Sequence, residues 1–320
     1  MFNRLMRLPI DWLLAIIVSW AIPLEFFGNT STYFKSLWFW LVPALLLLPR
    51  LYHETDAGGR RRRAFWYTVA FIFVAGCFLD FILGQWILAF DPAQGVYIYR
   101  IPSWGQGVPI EEVFFYLLGG MAITLVYIWA DEFWMKAYNV RQRRWNDELF
   151  GDDYRLVQIS RGAIALAVAL LGFGIFMKWR LGHDAWPPPY YYTFLVLTAL
   201  VPAVIFYRGV KDVVNWRAFS FTCLYVLVTS CIWEVTLGIA RKWWWYQPPP
   251  AVMGWYIPAF GHTADRPYPM EALIVWLVVS FDTILVFEFI KGILHDKRSV
   301  RETLFGRSAP APAIATSDAH

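Results

Sequence analysis

The stretch PIEEVFFYLLGGMAITLVYIWA, residues 109–130, opens with a proline and two acids, then carries no charge until Asp131. As a helix it is long enough to cross the hydrocarbon of a bilayer, which takes about 20 apolar residues. The same signal recurs along the chain. Eight apolar blocks stand at roughly 10–28, 34–51, 64–84, 111–130, 161–178, 190–208, 217–239 and 271–291, separated by polar or Pro/Gly-rich connectors. In lipid the backbone must satisfy its own hydrogen bonds, so these blocks read as helices rather than strands. The expected fold is an all-α, polytopic membrane helix bundle of about eight transmembrane helices.

Composition agrees with that reading. Of 320 residues 58% are hydrophobic and 16% charged, and the mean hydropathy is +0.44. Soluble domains rarely exceed about half apolar. Arg4 and Arg7 precede the first block as in a signal peptide, but no small-residue cleavage site follows and the run continues into Glu25-Phe26-Phe27. It reads as a retained first helix. Cys77, Cys223 and Cys231 fall inside helices without metal-ligand spacing, and read as small buried hydrophobes.

Basic residues set the orientation. One side of the eight-helix arrangement holds 21 Lys and Arg, the other 7. Both termini are therefore expected in the cytoplasm and the chain in the cell (inner) membrane, among membrane lipid. The net charge of +4 then reflects topology and needs no nucleic-acid partner.

The chain also repeats itself. Arg63-Ala64-Phe65 returns as Arg217-Ala218-Phe219, Cys77 and Asp80 as Cys231 and Glu234, and Leu83-Gly84 as Leu237-Gly238, all at an offset of 154. Leu41-Val42-Pro43-Ala44 recurs as Leu200-Val201-Pro202-Ala203, and Pro109-Ile110-Glu111 as Pro269-Met270-Glu271. Four helices per copy is an even number, which makes the repeats parallel. The units are 1–130 and 161–298, joined by a charged cytoplasmic linker at 131–160. The Ala/Pro-rich tail, 299–320, is expected to be disordered.

Acids inside membrane helices cost about 2.5–3.5 kcal/mol at the centre and are functional candidates by default. Glu25, Asp80, Glu111, Glu112, Glu234 and Glu271 all fall near the outer ends of their helices. Asp282 and Glu288 stand behind them. Asp282 follows Glu271 by close to three turns and shares its face, although it equally suits a pair with a nearby Arg or Lys. Capping is the alternative for Glu111 and Glu112, since acids suit a helix start. Aromatic residues crowd the two outer loops: Trp86, Phe90, Tyr97, Tyr99 and Trp104 in one, and Trp243, Trp244, Trp245, Tyr246, Trp255, Tyr256 and Tyr268 in the other. Many suit the interfacial belt; their number favours a second role. Aromatic faces stabilise a desolvated cation by about 2 kcal/mol or more.

A desolvated carboxylic acid placed against a carbon–carbon double bond can protonate it. Aromatic faces can shelter the tertiary carbocation, and a carboxylate can remove the final proton. Such chemistry takes no redox cofactor. Gly105-Gln106-Gly107 has neither the third glycine nor the βαβ setting of a nucleotide fingerprint.

These residues carry a resemblance. Residues 63–129, with Asp80, Trp86, Pro109-Ile110-Glu111-Glu112 and Phe114-Phe115, resemble the membrane lycopene cyclases that occur as heterodimers in bacteria and as fused units in archaea and fungi. This chain looks like a fused, two-unit form. The second half is similar at Glu234, Trp245-Tyr246, Gly254 and Pro269-Met270-Glu271, with Ala272 where a second acid is usual. The resemblance implies cyclisation of a linear carotenoid end group without a cofactor, and other carotenoid-forming enzymes as partners. It gives Glu111 and Glu112 the proton-donor role and Asp80, Glu234 and Glu271 support or base roles. Trp86, Phe114, Phe115, Trp245 and Tyr246 are the expected substrate contacts. A carotenoid hydratase, another membrane terpenoid cyclase and a small parallel-repeat transporter remain as rivals. A prenyltransferase fits poorly, because Asp147, Asp152 and Asp153 have the wrong spacing and fall in the linker.

Overall fold

The computed structural model describes residues 37–53, 59–79, 81, 85–90, 100–101, 108–134, 154–240, 244–257 and 268–306. The block at 10–28 with Glu25, and the candidates Asp80, Tyr97, Tyr99, Trp104 and Trp243, lie outside them.

The described chain is mostly helical. The long helices are α1 (Trp38–His53), α2 (Arg60–Leu79), α3 (Ile110–Trp129), α4 (Arg161–Arg180), α5 (Tyr190–Val210), α6 (Trp216–Trp233) and α7 (Glu271–His295). Among the described residues, five helical stretches are long and apolar enough to cross a membrane: Ile110–Glu132, Arg161–Arg180, Tyr190–Val210, Trp216–Gly238 and Glu271–His295. Arg60–Arg63 belong to the first turn of α2 rather than to a preceding connector.

α3 and α7 form the centre. They pack against each other; α1 and α2 pack on α3, and α5 and α6 on α7. Besides the α3–α7 contact, α2 lies against α7 and α6 against α3, so the two halves pack across each other. α4 touches mainly α5. It leaves Leu166, Val168 and Phe176 more than half exposed, an apolar face suited to lipid.

Two short antiparallel ribbons accompany the helices. β1 (Leu88–Phe90) pairs antiparallel with β4 (Trp244–Tyr246), with Ala89 opposite Trp245. β2 (Arg100–Ile101) pairs with β3 (Val108–Pro109). The first ribbon ties the loop after α2 to the loop after α6. Each loop alone offers too few residues to reveal a strand by alternation.

Two further expectations need correction, and the described parts of the linker 131–160 carry structure of their own. Ala130–Trp134 continue α3 as a widened π turn, and Leu156 is fully buried. Tyr154 donates its hydroxyl to the Gly209 carbonyl, and a side chain at Gly209 would collide with the Leu156 backbone. The tail is ordered at its start: Val300–Phe305 form α8 under a capping box between Ser299 and Glu302. The Thr303 and Leu304 carbonyls accept from the Leu156 and Val157 amides. Tail and linker therefore satisfy each other's backbone, which neither could do alone. Finally, the three cysteines are half-buried rather than buried.

Candidate active site

A cavity of about 180 Å³ opens among α2, α3, α5, α6 and α7. Its wall is built from helical stripes. α3 contributes Glu112, Phe115, Tyr116, Gly119, Gly120 and Ile123, the i, i+3, i+4, i+7 spacing of one helix face. That stripe runs ~16 Å along the axis at 1.5 Å per residue. α7 contributes Val275, Trp276, Val279 and Asp282; α5 contributes Tyr191, Phe194 and Thr198; α2 contributes Ile72, Ala75 and Gly76. Trp233 and Glu234 enter from the end of α6, where Glu234–Ile239 widen into a π turn. Trp244 and Tyr246 close the wall from β4.

Three acidic residues line this largely apolar space: Glu112, Glu234 and Asp282. They are 5%, 3% and 5% exposed. Glu234 is firmly held. Trp244 donates Nε1–H to its Oε2 at 2.9 Å, and Tyr246 donates its hydroxyl to Oε1 at 2.8 Å. Burial first, and then the Glu234 charge, keep the Tyr246 phenol well above its ordinary pKa, so it remains a donor. Gly238 permits this arrangement: a Cβ there would lie 2.8 Å from the Trp244 ring.

Aromatic rings from both halves meet at the cavity. Phe115 stacks on Trp233 with centroids 5.3 Å apart. Trp276 stands edge-on to both, at 5.6 Å from each. Trp40 of α1 stacks behind Trp276 at 4.9 Å. π faces thus border the space that the acids face, an arrangement able to stabilise a transient cation.

The expected residues divide by geometry. Glu112, Glu234, Phe115 and Tyr246 come together in the wall. Glu111 is fully buried but is not part of it; consecutive helical residues point about 100° apart. For the same reason Phe114 is 44% exposed while Phe115 lies inside. Strand alternation separates Trp245 from its neighbours: Trp244 and Tyr246 are buried and bind Glu234, and Trp245 faces the other way. Trp86 is largely exposed and packs on Tyr190 at 6.1 Å, outside the cavity wall. Glu271 begins α7 and accepts from the Met253 amide at 2.6 Å, away from the wall. Glu288 accepts from Tyr127 at 3.1 Å and pairs with Lys291 at 3.0 Å. It holds α3 to α7 rather than facing the cavity.

Sequence reasoning missed Trp40, Trp233 and Trp276 and placed Asp282 behind the other acids. The signal for Trp276 and Asp282 was present in their helical spacing with Val275 and Val279. That for Trp233 was its place beside Glu234. Among the described residues, no group of three or more His, Cys, Asp or Glu is placed to hold a metal ion. Among protein families, curated proteins and solved structures, none matches this chain, and the resemblance to lycopene cyclases rests on the motif residues alone.

Proposed function

We propose that this protein cyclises the end group of a linear carotenoid such as lycopene, by acid/base chemistry within the membrane and without a redox cofactor. One observation carries the reading: Glu112 from the first half and Glu234 from the second line one apolar cavity with Phe115, Trp233 and Trp276 around it. A carboxyl group delivers a proton to a terminal double bond, the rings shelter the cation, and a second carboxyl removes a proton once the ring has closed. The substrate is an apolar hydrocarbon, in keeping with walls that offer few polar groups.

The test is expression in a lycopene-accumulating host with pigment analysis. A β-ring carotenoid is expected. A hydroxylated, uncyclised product would assign a hydratase instead, and unchanged lycopene would overturn both.

The same proposal includes eight membrane spans in two parallel four-helix units. Its support is the sequence offset of 154 and the crossed packing, in which each half's third helix lies against the other half's fourth. The basic bias of 21 to 7 puts both termini in the cytoplasm. Reporter fusions at either end should then both give the cytoplasmic signal. An external C-terminus would remove the eight-span arrangement.

A further inference from the structure

The cavity wall contains a carboxyl group that the Pro-x-Glu motifs do not supply. Asp282 lies on α7, 5% exposed, and neither of its oxygens has a hydrogen-bond partner among the described residues. Three other acids of the region each have a hydrogen-bond partner. Glu234 accepts from Trp244 and Tyr246, Glu271 from the Met253 amide, and Glu288 from Tyr127 and Lys291. A buried polar group without a partner is costly to keep and calls for an explanation. Among the described residues the Asp282 side chain contributes no hydrogen bond to the fold. The residue lines the same cavity as Glu112 and Glu234.

The contrast between the two acids gives each a role. Hydrogen-bond donors steady the charge of a carboxylate, and Glu234 has two. Asp282 has none. Two carboxyl groups in unlike surroundings within one site divide the acid and base work between them.

We propose that Asp282 is the proton donor of the reaction and that Glu234 takes the proton released by the ring; this rests on the cyclase reading above. The Asp282 O–H bond breaks and a C–H bond forms at the terminal double bond, leaving a tertiary cation. The electron pair of a second double bond in the end group attacks that cation and closes the ring, which moves the positive charge onto a ring carbon. A neighbouring C–H bond then breaks. Its electrons become the ring double bond, and its proton goes to Glu234. Nothing is oxidised or reduced. One proton passes from Asp282 to Glu234 per ring, and exchange with solvent resets both groups.

The test uses the full chain in a lycopene-accumulating host, with membrane abundance, thermal unfolding and bound pigment measured beside product. Asp282→Asn keeps the shape but has no acidic proton to give, and ring formation should fall roughly 100-fold or more. The variant should unfold no earlier than wild type, because no hydrogen bond is lost, and should purify with unconverted lycopene. Asp282→Glu should restore part of the conversion. An active wild type with Asp282→Asn close to it in product would overturn the assignment and leave the cyclase reading standing. Loss of bound pigment from Asp282→Asn would make the residue a binding group and also overturn it. Should Asp282→Asn fail to accumulate, Asp282→Glu and Asp282→Ala decide, and an Ala variant that still forms rings defeats the assignment. A wild type that leaves lycopene unchanged overturns the cyclase reading and this assignment with it.

Discussion

Glu234→Gln is expected to leave the protein in the membrane and its substrate unconverted. The amide has nearly the shape of the acid but cannot accept a proton at catalytic pH. It also presents one acceptor and one donor where Trp244 and Tyr246 both donate, so the Tyr246 hydroxyl must turn from donor to acceptor of the amide N–H. Loss of a positioned acid or base costs about 10²–10⁴-fold in rate, and product in a lycopene-accumulating host should fall accordingly. Glu112→Gln should behave alike, because Glu112 faces the same cavity. Glu111→Gln should keep most of the conversion, because Glu111 is absent from the cavity wall. Wild-type product from both Glu234→Gln and Glu112→Gln would remove the acid/base reading. Full loss in Glu111→Gln together with an active Glu112→Gln would reverse the assignment within the Pro109-Ile110-Glu111-Glu112 motif.

Gly119→Leu should block the same reaction by a different route. Gly119 lines the cavity, and a Cβ built there meets no atom within 4 Å. A leucine has room to enter without disturbing the helices, and the room it takes is the substrate's. Replacing a mid-helix glycine also favours the helix by up to about 1 kcal/mol. The variant should therefore melt no lower than wild type. Displacing a substrate by an ångström is enough to lose roughly 100-fold in rate, and conversion should drop by that much. Gly172→Leu is the control. Gly172 also has open space around its Cβ but lies exposed on the peripheral α4, so product should be unchanged. Normal conversion by Gly119→Leu would mean that this cavity does not hold the reacting end group.

Much of the fold was legible because its rules are local. The length of an apolar block decides whether it can span a bilayer, and its polar flanks decide where it stops. Seven of the eight blocks coincide with described helices, and the first lies outside the described residues. The stripe Glu112, Phe115, Tyr116, Gly119 follows from the helical period once residues 109–130 are taken as a helix.

What the sequence could not decide was which way neighbouring residues face when nothing local marks a side. Glu111 and Glu112 are chemically alike, and Trp244 and Trp245 are the same residue type. Only the packing of α3 and the pairing of β4 with β1 turn one of each toward the cavity. The aromatic rings of the cavity wall come from α3, α5, α6, α7 and β4, so no window of sequence contains them. Asp282 and Glu288 lie six residues apart on one helix, yet Glu288 meets Lys291 and Tyr127 while Asp282 is buried with no hydrogen-bond partner among the described residues. A buried carboxyl's partners are supplied by the neighbouring helix face as much as by its own helix. The length and period of helices are properties of the chain, whereas the environment of a buried acid belongs to the assembled bundle.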